Sequence, residues 1–473
     1  MNSQQLYEQC LREQSSFIRA SQVAQVTKSP FVLWADEHAP TNKKDSASAF
    51  QEMLFAKGDE HEQAVINQDF ADATELAYTD AREGFLSVLN ELFAGTKLLT
   101  QTPLFYAPEG LRGRPDVLMR VDGESVFGAY HYVVKEIKYA KNLKDHHRLQ
   151  AAYYTYLLGL IQGRTPKYFT LINYDQEEFT YPFEEYKEQL FAAIAQAKEV
   201  LSQETPPLPV YGEAWPWEEY SKELAVANDD VSQVYRLGRS VRERLQAVGI
   251  FTLADLAQAD ASQVLAVNGV GKATYTRWMR HVQALRSDEP VWVRKPSFPR
   301  ASQELFFDVE GDTELGIDYL YGLLDGDDFV YFWADKPDDE QLLWEEFLSY
   351  VDSLPVDTVI YYYTSYERQS LARMRARYGC ADALWKKLSG MLVDLFPLLR
   401  QAVVLPLASY SIKPVAQYLG FSWRAVDASG ANSLEWYARY LQGEDSFKQK
   451  LLAYNEDDVR ATRVVKQWLA KQR

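Results

Sequence analysis

The sequence predicts a multidomain α/β protein, and three observations support this fold class. The chain has 473 residues, which at roughly 150 residues per domain corresponds to two to four domains. Apolar residues at strand and helix spacing alternate in the first and in the last part of the chain. Proline-rich segments, which interrupt regular structure, flank a small helical stretch between these parts. We therefore expect three domains, over residues 1–204, 210–286 and 301–473.

The composition excludes several classes of protein. Hydrophobic residues make up 47% and charged residues 25% of the chain, the balance of an ordinary globular protein. Two cysteines are too few for a disulfide framework or for a four-cysteine zinc or iron–sulfur site. No apolar run approaches the roughly 20 residues of a membrane span, and the first residues lack the features of a signal peptide. We therefore expect a cytoplasmic protein with no iron–sulfur cluster and no membrane contact.

The charge is unevenly distributed along the chain. A net charge of −17 argues against a passive coat for nucleic acid, because polyphosphate would be repelled. Residues 231–300 nevertheless carry 11 Lys and Arg against 5 Asp and Glu, and residues 111–150 carry 8 against 5. Both basic windows contain the motifs described below.

In the first part of the chain, the apolar spacing predicts helices followed by mixed strands and helices. The predicted helices cover residues 47–66, 74–93, 144–160 and 183–201. The predicted strands cover residues 97–103, 114–121, 130–137 and 168–174.

Two carboxylates and a lysine are expected to converge on these strands. Asp116 opens one predicted strand, and Glu136 and Lys138 come later at alternate positions of another, so that they share one face. Carboxylate oxygens are the ligands that Mg²⁺ or Mn²⁺ prefers. A lysine beside such a metal can act on water and offset charge on the phosphate.

Three further residues extend this pattern. Gln150 and Tyr154 lie four residues apart on one face of the following helix, and His61 lies on an early helix. The order of a helical His, Pro-Asp, Glu-x-Lys and Gln-x-x-x-Tyr resembles the PD-(D/E)xK nucleases of the RecB type. The resemblance covers about residues 45–175 and implies a restriction-endonuclease-like fold.

The resemblance assigns a role to each of these residues. The implied metal ligands are His61, Asp116 and Glu136, the implied catalytic lysine is Lys138, and the implied supporting or DNA-contacting residues are Gln150 and Tyr154. Many relatives carry four cysteines for an iron–sulfur cluster, which this chain lacks, and tryptophan packing near residues 215–217 is expected in its place. The alternative is a chance set of short motifs on a turn and a solvated strand face.

The middle segment contains glycine hairpins between predicted helices. Gly269 and Gly271 leave backbone N–H groups free at a helix N-terminus, which suits a phosphate, and Lys272, Arg277 and Arg280 add positive charge. This segment looks like a helix-hairpin-helix domain, which implies salt-sensitive, sequence-independent binding of the DNA or RNA backbone. The alternative is a helical spacer whose glycines only terminate helices.

The last part of the chain is predicted to form a mixed α/β sheet with helices on its faces. The predicted strands cover residues 304–310, 319–324, 329–333 and 358–363. The predicted helices cover residues 340–351 and 366–378, and the remainder is mostly helical.

Four acids and a tyrosine stand out in this part. Asp308 and Glu310 face one side of an apolar strand, where carboxylates are costly unless a metal compensates them. Glu367 begins a later helix, and Tyr454 and Asp458 lie one helical turn apart. The series resembles the DEDD exonucleases on a ribonuclease H-like fold. The resemblance implies two metal ions held by the four acids, with Tyr454 orienting the water.

Three acids of this part have more than one interpretation. Glu367 stands where the series usually has Asp, and its extra methylene would shift a metal by about 1 Å. Asp457 competes with Asp458 on spacing, although the Tyr-x-x-x-Asp pattern favours Asp458. Asp394 fits either an accessory acid or the N-cap of a helix.

Taken together, the three parts resemble RecB-like nucleases with a C-terminal ribonuclease H-like domain of the YprB type. We expect a Mg²⁺- or Mn²⁺-dependent nuclease for DNA that is single-stranded or has a free end, with RNA as the alternative substrate. Two alternatives stay open. In one, only the N-terminal site cleaves nucleic acid, and the C-terminal half binds it without cleavage. In the other, the protein is a silent nucleic-acid-binding scaffold for a helicase, which would be a separate chain because no Walker-type loop is present.

Overall fold

The computed structural model describes the chain over residues 1–12, 16–208, 210–312, 316–425 and 429–471. Over these residues the chain forms two compact units. The first contains residues 1–47 and 51–224, and the second contains residues 48–50 and 225–473. The helical segment expected as a domain of its own lies in the second unit, so the division into three domains stays a prediction.

The first unit contains a six-stranded mixed sheet and a three-stranded sheet, with helices packed against them. Its strands are β1 (Ile18–Arg19), β2 (Thr74–Glu75), β3 (Leu98–Thr100), β4 (Leu104–Tyr106), β5 (Leu111–Gly113), β6 (Val117–Ser125), β7 (Gly128–Ile137), β8 (Tyr168–Ile172) and β9 (Glu178–Pro182). Its helices are α1 (Ser3–Cys10), α2 (Ala20–Lys28), α3 (Pro30–His38), α4 (Ala49–Asp69), α5 (Ala81–Ala94), α6 (Asp145–Gln162), α7 (Lys187–Ser202) and α8 (Glu218–Ala227). The three-stranded sheet has the order β1-β5-β4.

The strand order of the six-stranded sheet brings the predicted motifs together. The order is β2-β3-β6-β7-β8-β9, in which β6 and β7 are antiparallel and β7 and β8 are parallel. Helix α6 supplies the crossover between the two parallel strands, as such a connection requires. Val117 pairs with Lys135, so the start of β6 lies beside the end of β7.

One predicted helix of this unit is wrong at its start. Residues 74–80 were expected to be helical, but Thr74–Glu75 forms a short strand that pairs with β3. Helix α5 begins only at Ala81, because the Asp80 side chain accepts hydrogen bonds from the backbone N–H groups of Arg82 and Glu83. Such an N-cap fixes the first turn of a helix.

The second unit begins with a small helical segment. Its helices are α9 (Arg239–Gln246), α10 (Leu253–Gln258), α11 (Ala261–Leu265) and α12 (Lys272–Ser287). Their apolar faces bury a core of their own that includes Leu245, Leu256 and Trp278. A buried ion pair between Arg242 and Asp230, with 2.5 Å between nitrogen and oxygen, joins α9 to the preceding turn.

A five-stranded mixed sheet forms the rest of the second unit. Its strands are β10 (Val291–Trp292), β11 (Glu304–Asp312), β12 (Ile317–Asp325), β13 (Asp328–Trp333), β14 (Val359–Tyr362), β15 (Leu392–Asp394) and β16 (Val403–Val404), of which β10 and β16 form a separate pair. Its helices are α13 (Glu340–Ser353), α14 (Tyr366–Tyr378), α15 (Asp382–Met391), α16 (Leu395–Ala402), α17 (Ile412–Tyr418), α18 (Gly430–Leu441) and α19 (Ser446–Ala470).

The order of the main sheet is β13-β12-β11-β14-β15. The first three strands form an antiparallel meander, and β14 and β15 continue the sheet in parallel with β11. Helix α19 packs across β11 and β12. The four strands predicted in this part are confirmed, and β15 was not predicted.

A histidine joins the helical segment to the loop that follows β16. His281 on α12 is buried, and its Nδ1 accepts a hydrogen bond of 3.0 Å from the backbone N–H of Tyr235. Its Nε2 lies 3.0 Å from the backbone oxygen of Leu407, so the neutral ring with a proton on Nε2 satisfies both contacts. Burial lowers the pKa of His281 to about 4.

We expect His281 to make the stability of the protein depend on pH. Because its pKa falls from 6.5 to about 4 on folding, its contribution is complete above pH 6.5 and is lost as the pH falls toward 4. Within this window the wild type should lose up to about 1.4 kcal/mol more per pH unit than His281→Gln. Denaturant unfolding at a series of pH values measures the difference, and parallel curves for the two proteins would contradict it.

Candidate active sites

Three carboxylates converge where helix α19 crosses strand β11. Asp308 and Glu310 lie two residues apart on β11, so their side chains point to the same face of the sheet. Asp458 reaches them from α19. One carboxylate oxygen of each residue lies within 4.8 Å of the other two. In the part of the chain that the structure describes, no other group of three acidic, His or Cys ligands comes this close together.

Each of these carboxylates is oriented by a neutral hydrogen-bond donor. The donors and distances are Asn455 Nδ2 to Asp308 Oδ2 at 2.7 Å, Ser433 Oγ to Glu310 Oε2 at 2.8 Å, and Trp423 Nε1 to Asp458 Oδ1 at 2.7 Å. Neutral donors fix the carboxylates without cancelling their charge. This is how side chains around a metal site orient its ligands.

Burial raises the pKa of all three carboxyl groups, and mutual repulsion adds to the shift of Asp308 and Glu310. Desolvation, with Asp458 and Glu310 nearby, raises the pKa of Asp308 well above its usual range. Burial raises the pKa of Glu310 to about 8 and that of Asp458 to about 6. Like charges this close resist joint ionisation, and a divalent cation would relieve the repulsion. The all-oxygen ligand set fits Mg²⁺ or Mn²⁺.

Tyr454 and Lys413 lie beside this acidic cluster. Tyr454 is buried and forms a side-chain hydrogen bond with Asp458. Lys413 Nζ lies 5.0 Å from the centre of the Tyr454 ring, and its charge is attracted to Asp458 and Glu310. Burial lowers the pKa of Lys413, whereas the two acids raise it. No pattern in the sequence pointed to this lysine, because it lies on α17, far along the chain from its neighbours.

Glu367 is buried next to the cluster but does not join it. It lies in the first turn of α14, and no partner is found for its Oε2 among the described residues. Desolvation raises the pKa of Glu367 well above its usual range, and Asp394 and Asp458 raise it further. Thr364, three residues earlier, has a φ of 87°, a left-handed conformation that is strained for a β-branched residue.

The two other acids that the sequence left open have structural partners. Asp394 caps α16, since its Oδ1 accepts a hydrogen bond of 2.9 Å from Phe396 N, and it also accepts one from Thr364 N. Asp457 is held by Arg424, with Nε 2.8 Å from its Oδ1. The geometry therefore favours Asp458 over Asp457, and the N-cap over the accessory acid.

A second group of polar side chains lies in the first unit, at the ends of β6 and β7. Asp116 Oδ2 accepts a hydrogen bond of 2.7 Å from Ile137 N. Glu136 Oε1 accepts bonds of 2.8 Å from Lys138 Nζ and 3.2 Å from Gln150 Nε2. Asp116 and Glu136 are both buried. The structure thus brings the two carboxylates, the lysine and the glutamine together as expected.

Two residues that were not predicted complete this group. Gln101 donates a hydrogen bond to Glu62 and also bonds the side chain of Asp116. Burial, with Asp116 nearby, raises the pKa of Glu62 to about 7 and that of Glu136 to about 8. Glu62, Gln101 and Arg114 line an open cavity of about 570 Å³, which gives access to the group from solvent.

The structure does not place His61 with Asp116 and Glu136 as a three-ligand cluster. Among the described residues, only the Asp308 cluster meets the 4.8 Å limit. The His61 ring instead packs 5.6 Å from the ring of Tyr139 and 5.7 Å from that of Tyr174. Its Nε2 is buried, and no hydrogen-bond partner is found for it in the described parts of the chain. The role of His61 as a ligand stays a prediction.

Tyr154 lies deeper than its expected contact with DNA requires. It is buried, forms a hydrogen bond with Gln150, and packs against the backbone of Gly113. A Cβ at residue 113 would lie 2.5 Å from Tyr154 Cε1. This environment suits the supporting role that the sequence also allowed, with Tyr154 holding Gln150 beneath Glu136.

The predicted glycine hairpin is present between α11 and α12. Gly269 has a φ of 89°, which favours glycine, and Gly271 is the N-cap of α12. Gly271 and Lys272 are exposed, and an added Cβ at Gly271 would meet no atom within 4 Å. The start of α12 is therefore open to solvent, which leaves room for the anion that the sequence pattern predicts there.

Residues 305–470 match the family model described as the RNase_H superfamily. The C-terminal part of the chain is an RNase H-like domain. The match includes β11, from which Asp308 and Glu310 project, and α19, which carries Tyr454 and Asp458. It indicates a metal-dependent domain of the nuclease type with a nucleic-acid substrate. No curated protein matches the chain. Among the described helices, none is long and apolar enough to cross a membrane.

We expect Gly322 to be required for the acidic cluster of this domain. Gly322 pairs with Asp308 across β11 and β12, and a Cβ there would lie 1.7 Å from Asn455 Oδ1. Gly322→Ala should displace Asn455, release Asp308 and weaken Mn²⁺ binding by at least ~10-fold, the range seen when such supporting contacts are lost. Calorimetric titration with Mn²⁺ measures the effect.

Gly390→Ala is the matched control for this prediction, because no atom would lie within 4 Å of its Cβ. It should bind Mn²⁺ as the wild type does. Equal Mn²⁺ affinity in Gly322→Ala and Gly390→Ala would show that Asn455 does not position Asp308.

Proposed function

We propose that this protein is a divalent-metal-dependent nuclease that hydrolyses phosphodiester bonds in DNA. The observation that carries the proposal is the convergence of Asp308, Glu310 and Asp458 within 4.8 Å in an RNase H-like domain. Two of these carboxylates are buried and Asp308 is half-buried, and a bound divalent cation would offset the cost of bringing them together. Single-stranded DNA or a free end is the leading substrate, and RNA is the alternative.

In the RNase H-like domain, each side chain of the site would have its own role in hydrolysis. Asp308, Glu310 and Asp458 would hold Mg²⁺ or Mn²⁺, and the buried carboxylate of Glu367 would complete the series for a second ion. Bound divalent ions in such sites activate water and stabilise the leaving oxygen. Tyr454, hydrogen-bonded to Asp458, would orient the attacking water beside the cluster. Lys413 would offset negative charge that develops on the phosphate.

We infer that the first unit is a second nuclease domain, of the PD-(D/E)xK restriction-endonuclease-like type. The contacts of Glu136 with Lys138 and Gln150 support this proposal, as does the β6-β7-α6-β8 arrangement beneath them. Asp116 and Glu136 would bind the ion, with Glu62 or His61 as a further ligand. Lys138 would orient water and offset charge on the phosphate, and Gln150 and Tyr154 would support it.

The helical segment would hold the nucleic acid as a helix-hairpin-helix domain. Gly269 and Gly271 leave the start of α12 open, and Lys272 adds a positive charge there. Together with the two candidate sites, this arrangement is what the resemblance to YprB-type RecB-like nucleases implies. A cytoplasmic setting, a role in DNA repair and a separate helicase partner belong to the same proposal.

One observation favours a second function, in which the C-terminal half grips nucleic acid and only the first unit cuts. The ammonium group of Lys413 faces Asp458 and Glu310 and partly neutralises them without a metal. Glu367 also stands outside the three-carboxylate cluster. A scaffold with no activity at all is less well supported, because both sites keep their carboxylates.

End-labelled single-stranded DNA with Mn²⁺ separates these functions. If both sites cut, Asp308→Asn and Lys138→Ala should each lose part of the activity and the double variant at least ~100-fold, since each removes a group that acts on the transition state. Asp308→Asn removes a metal ligand, whereas Lys138→Ala leaves Asp116 and Glu136 to bind the ion. Asp327→Asn, which changes an exposed carboxylate of the second unit, is the control.

The pattern of losses then identifies the active half. Full activity in Asp308→Asn with none in Lys138→Ala would support the function in which the C-terminal half only grips. A wild type that cleaves neither DNA nor RNA with Mn²⁺, or a double variant that cleaves as fast as the wild type, would contradict the proposed function.

A further inference from the structure

We propose that Arg236, Arg277 and Arg400 form a phosphate-binding site that holds the nucleic-acid strand beside the RNase H-like domain. The proposal rests on the proposed function, because it takes the strand to be the substrate of that domain. The three arginines come from different parts of the second unit: the turn before α9, helix α12 and helix α16.

The three side chains gather around Tyr235. Arg236 Cζ lies 5.4 Å and Arg400 Cζ 5.6 Å from the centre of the Tyr235 ring. Arg277 lines the same small pocket as Tyr235 and Arg400. The Tyr235 ring in turn stacks on Tyr410, with 4.5 Å between ring centres. Aromatic contacts therefore hold the guanidinium groups of Arg236 and Arg400 in place and leave their N–H groups for a ligand.

These three positive charges lack a negative partner within the described parts of the chain. No hydrogen bond or ion pair of Arg236, Arg277 or Arg400 is found there, and Arg236 and Arg277 are exposed. Burial lowers the pKa of Arg400, and the like charges of Arg236 and Arg277 lower it further. The guanidinium groups repel one another, so an anion between them would be stabilising. Phosphate suits this place because it can accept two hydrogen bonds from one guanidinium group.

The pocket beneath the arginines excludes a small buried ligand. Its volume is about 10 Å³, which is barely room for one water molecule. A ligand must therefore lie across the exposed guanidinium groups from outside. The backbone of a nucleic-acid strand has that shape and carries the complementary charge.

The support beneath the arginines is rigid and continuous with the candidate active site. Tyr235 is held through its backbone N–H by His281, which also contacts Leu407. Arg400 lies six residues after Asp394 on α16, about 9 Å along the helix. Asp394 in turn accepts a hydrogen bond from Thr364, close to Glu367. This distance corresponds to about three nucleotides at the B-form rise of one strand.

Binding of a fluorescein-labelled oligothymidylate at a series of salt concentrations tests the site. Ca²⁺ in place of Mn²⁺ keeps the strand uncut. Each of Arg236→Gln, Arg277→Gln and Arg400→Gln should make the log–log slope against salt shallower by about 0.7, the value for one lost phosphate contact on a single strand. Arg277→Gln changes an exposed residue, so its effect does not depend on the packing of Arg400.

Arg286→Gln is the matched control, because it removes an exposed arginine from the same helix, α12. It should keep the wild-type slope. An equal change in Arg286→Gln and the three test variants would assign the effect to net charge and overturn the site. An unchanged slope in all variants, with tight binding by the wild type, would overturn the site and leave the proposed nuclease standing. A wild type that neither binds nor cleaves the oligonucleotide would overturn both.

Discussion

The repulsion among Asp308, Glu310 and Asp458 is the interaction around which the C-terminal part of the protein is arranged. Three carboxylates this close together, two of them buried, would normally be avoided, because each loses water beside a like charge. The neighbouring hydrogen-bond donors are neutral and orient the acids, and Lys413 adds one positive charge beside Asp458 and Glu310. The strand β12 even lacks a side chain at Gly322, which makes room for Asn455 to reach Asp308. The fold thus brings together an all-oxygen ligand set that fits a divalent cation.

In the first unit, a lysine contacts one of the buried carboxylates directly. Glu136 and Asp116 are also buried, but Lys138 lies 2.8 Å from Glu136 and offsets part of the charge within the protein. Attraction by Glu136 and Asp116 raises the pKa of Lys138 despite its burial, so that it stays an ammonium group. The carboxylates of this site therefore depend less on the charge of a bound metal ion than those of the cluster in the second unit. The two candidate sites should therefore differ in how strongly a divalent cation stabilises each unit.

Local spacing made the main strands and the motif residues predictable. Alternation along β11 placed Asp308 and Glu310 on one face, and the four-residue spacing of Tyr454 and Asp458 placed them on one side of α19. The same logic paired Glu136 with Lys138 at the end of β7. These inferences need only the geometry of one strand or one helix, which the sequence carries directly.

Contacts between distant segments could not be predicted in this way. Trp423, Ser433 and Lys413 reach the acidic cluster from elements whose packing depends on the whole sheet, and Gln101 links Glu62 to Asp116 across the first unit. The gathering of Arg236, Arg277 and Arg400 likewise depends on how α12 and α16 meet. His61 shows the reverse case, because its place in a motif did not reveal that Tyr139 and Tyr174 pack against its ring.

Thermal unfolding with and without Mn²⁺ tests most directly whether the Asp308 cluster is a cation site. At neutral pH, Mn²⁺ should raise the Tm of the wild type, because an ion that binds only the folded state stabilises it. Asp308→Asn should lose most of the shift caused by Mn²⁺, because the amide removes one anionic ligand of the ion. A Mn²⁺ shift of the same size in Asp308→Asn and in the wild type would contradict a metal site built on these three carboxylates.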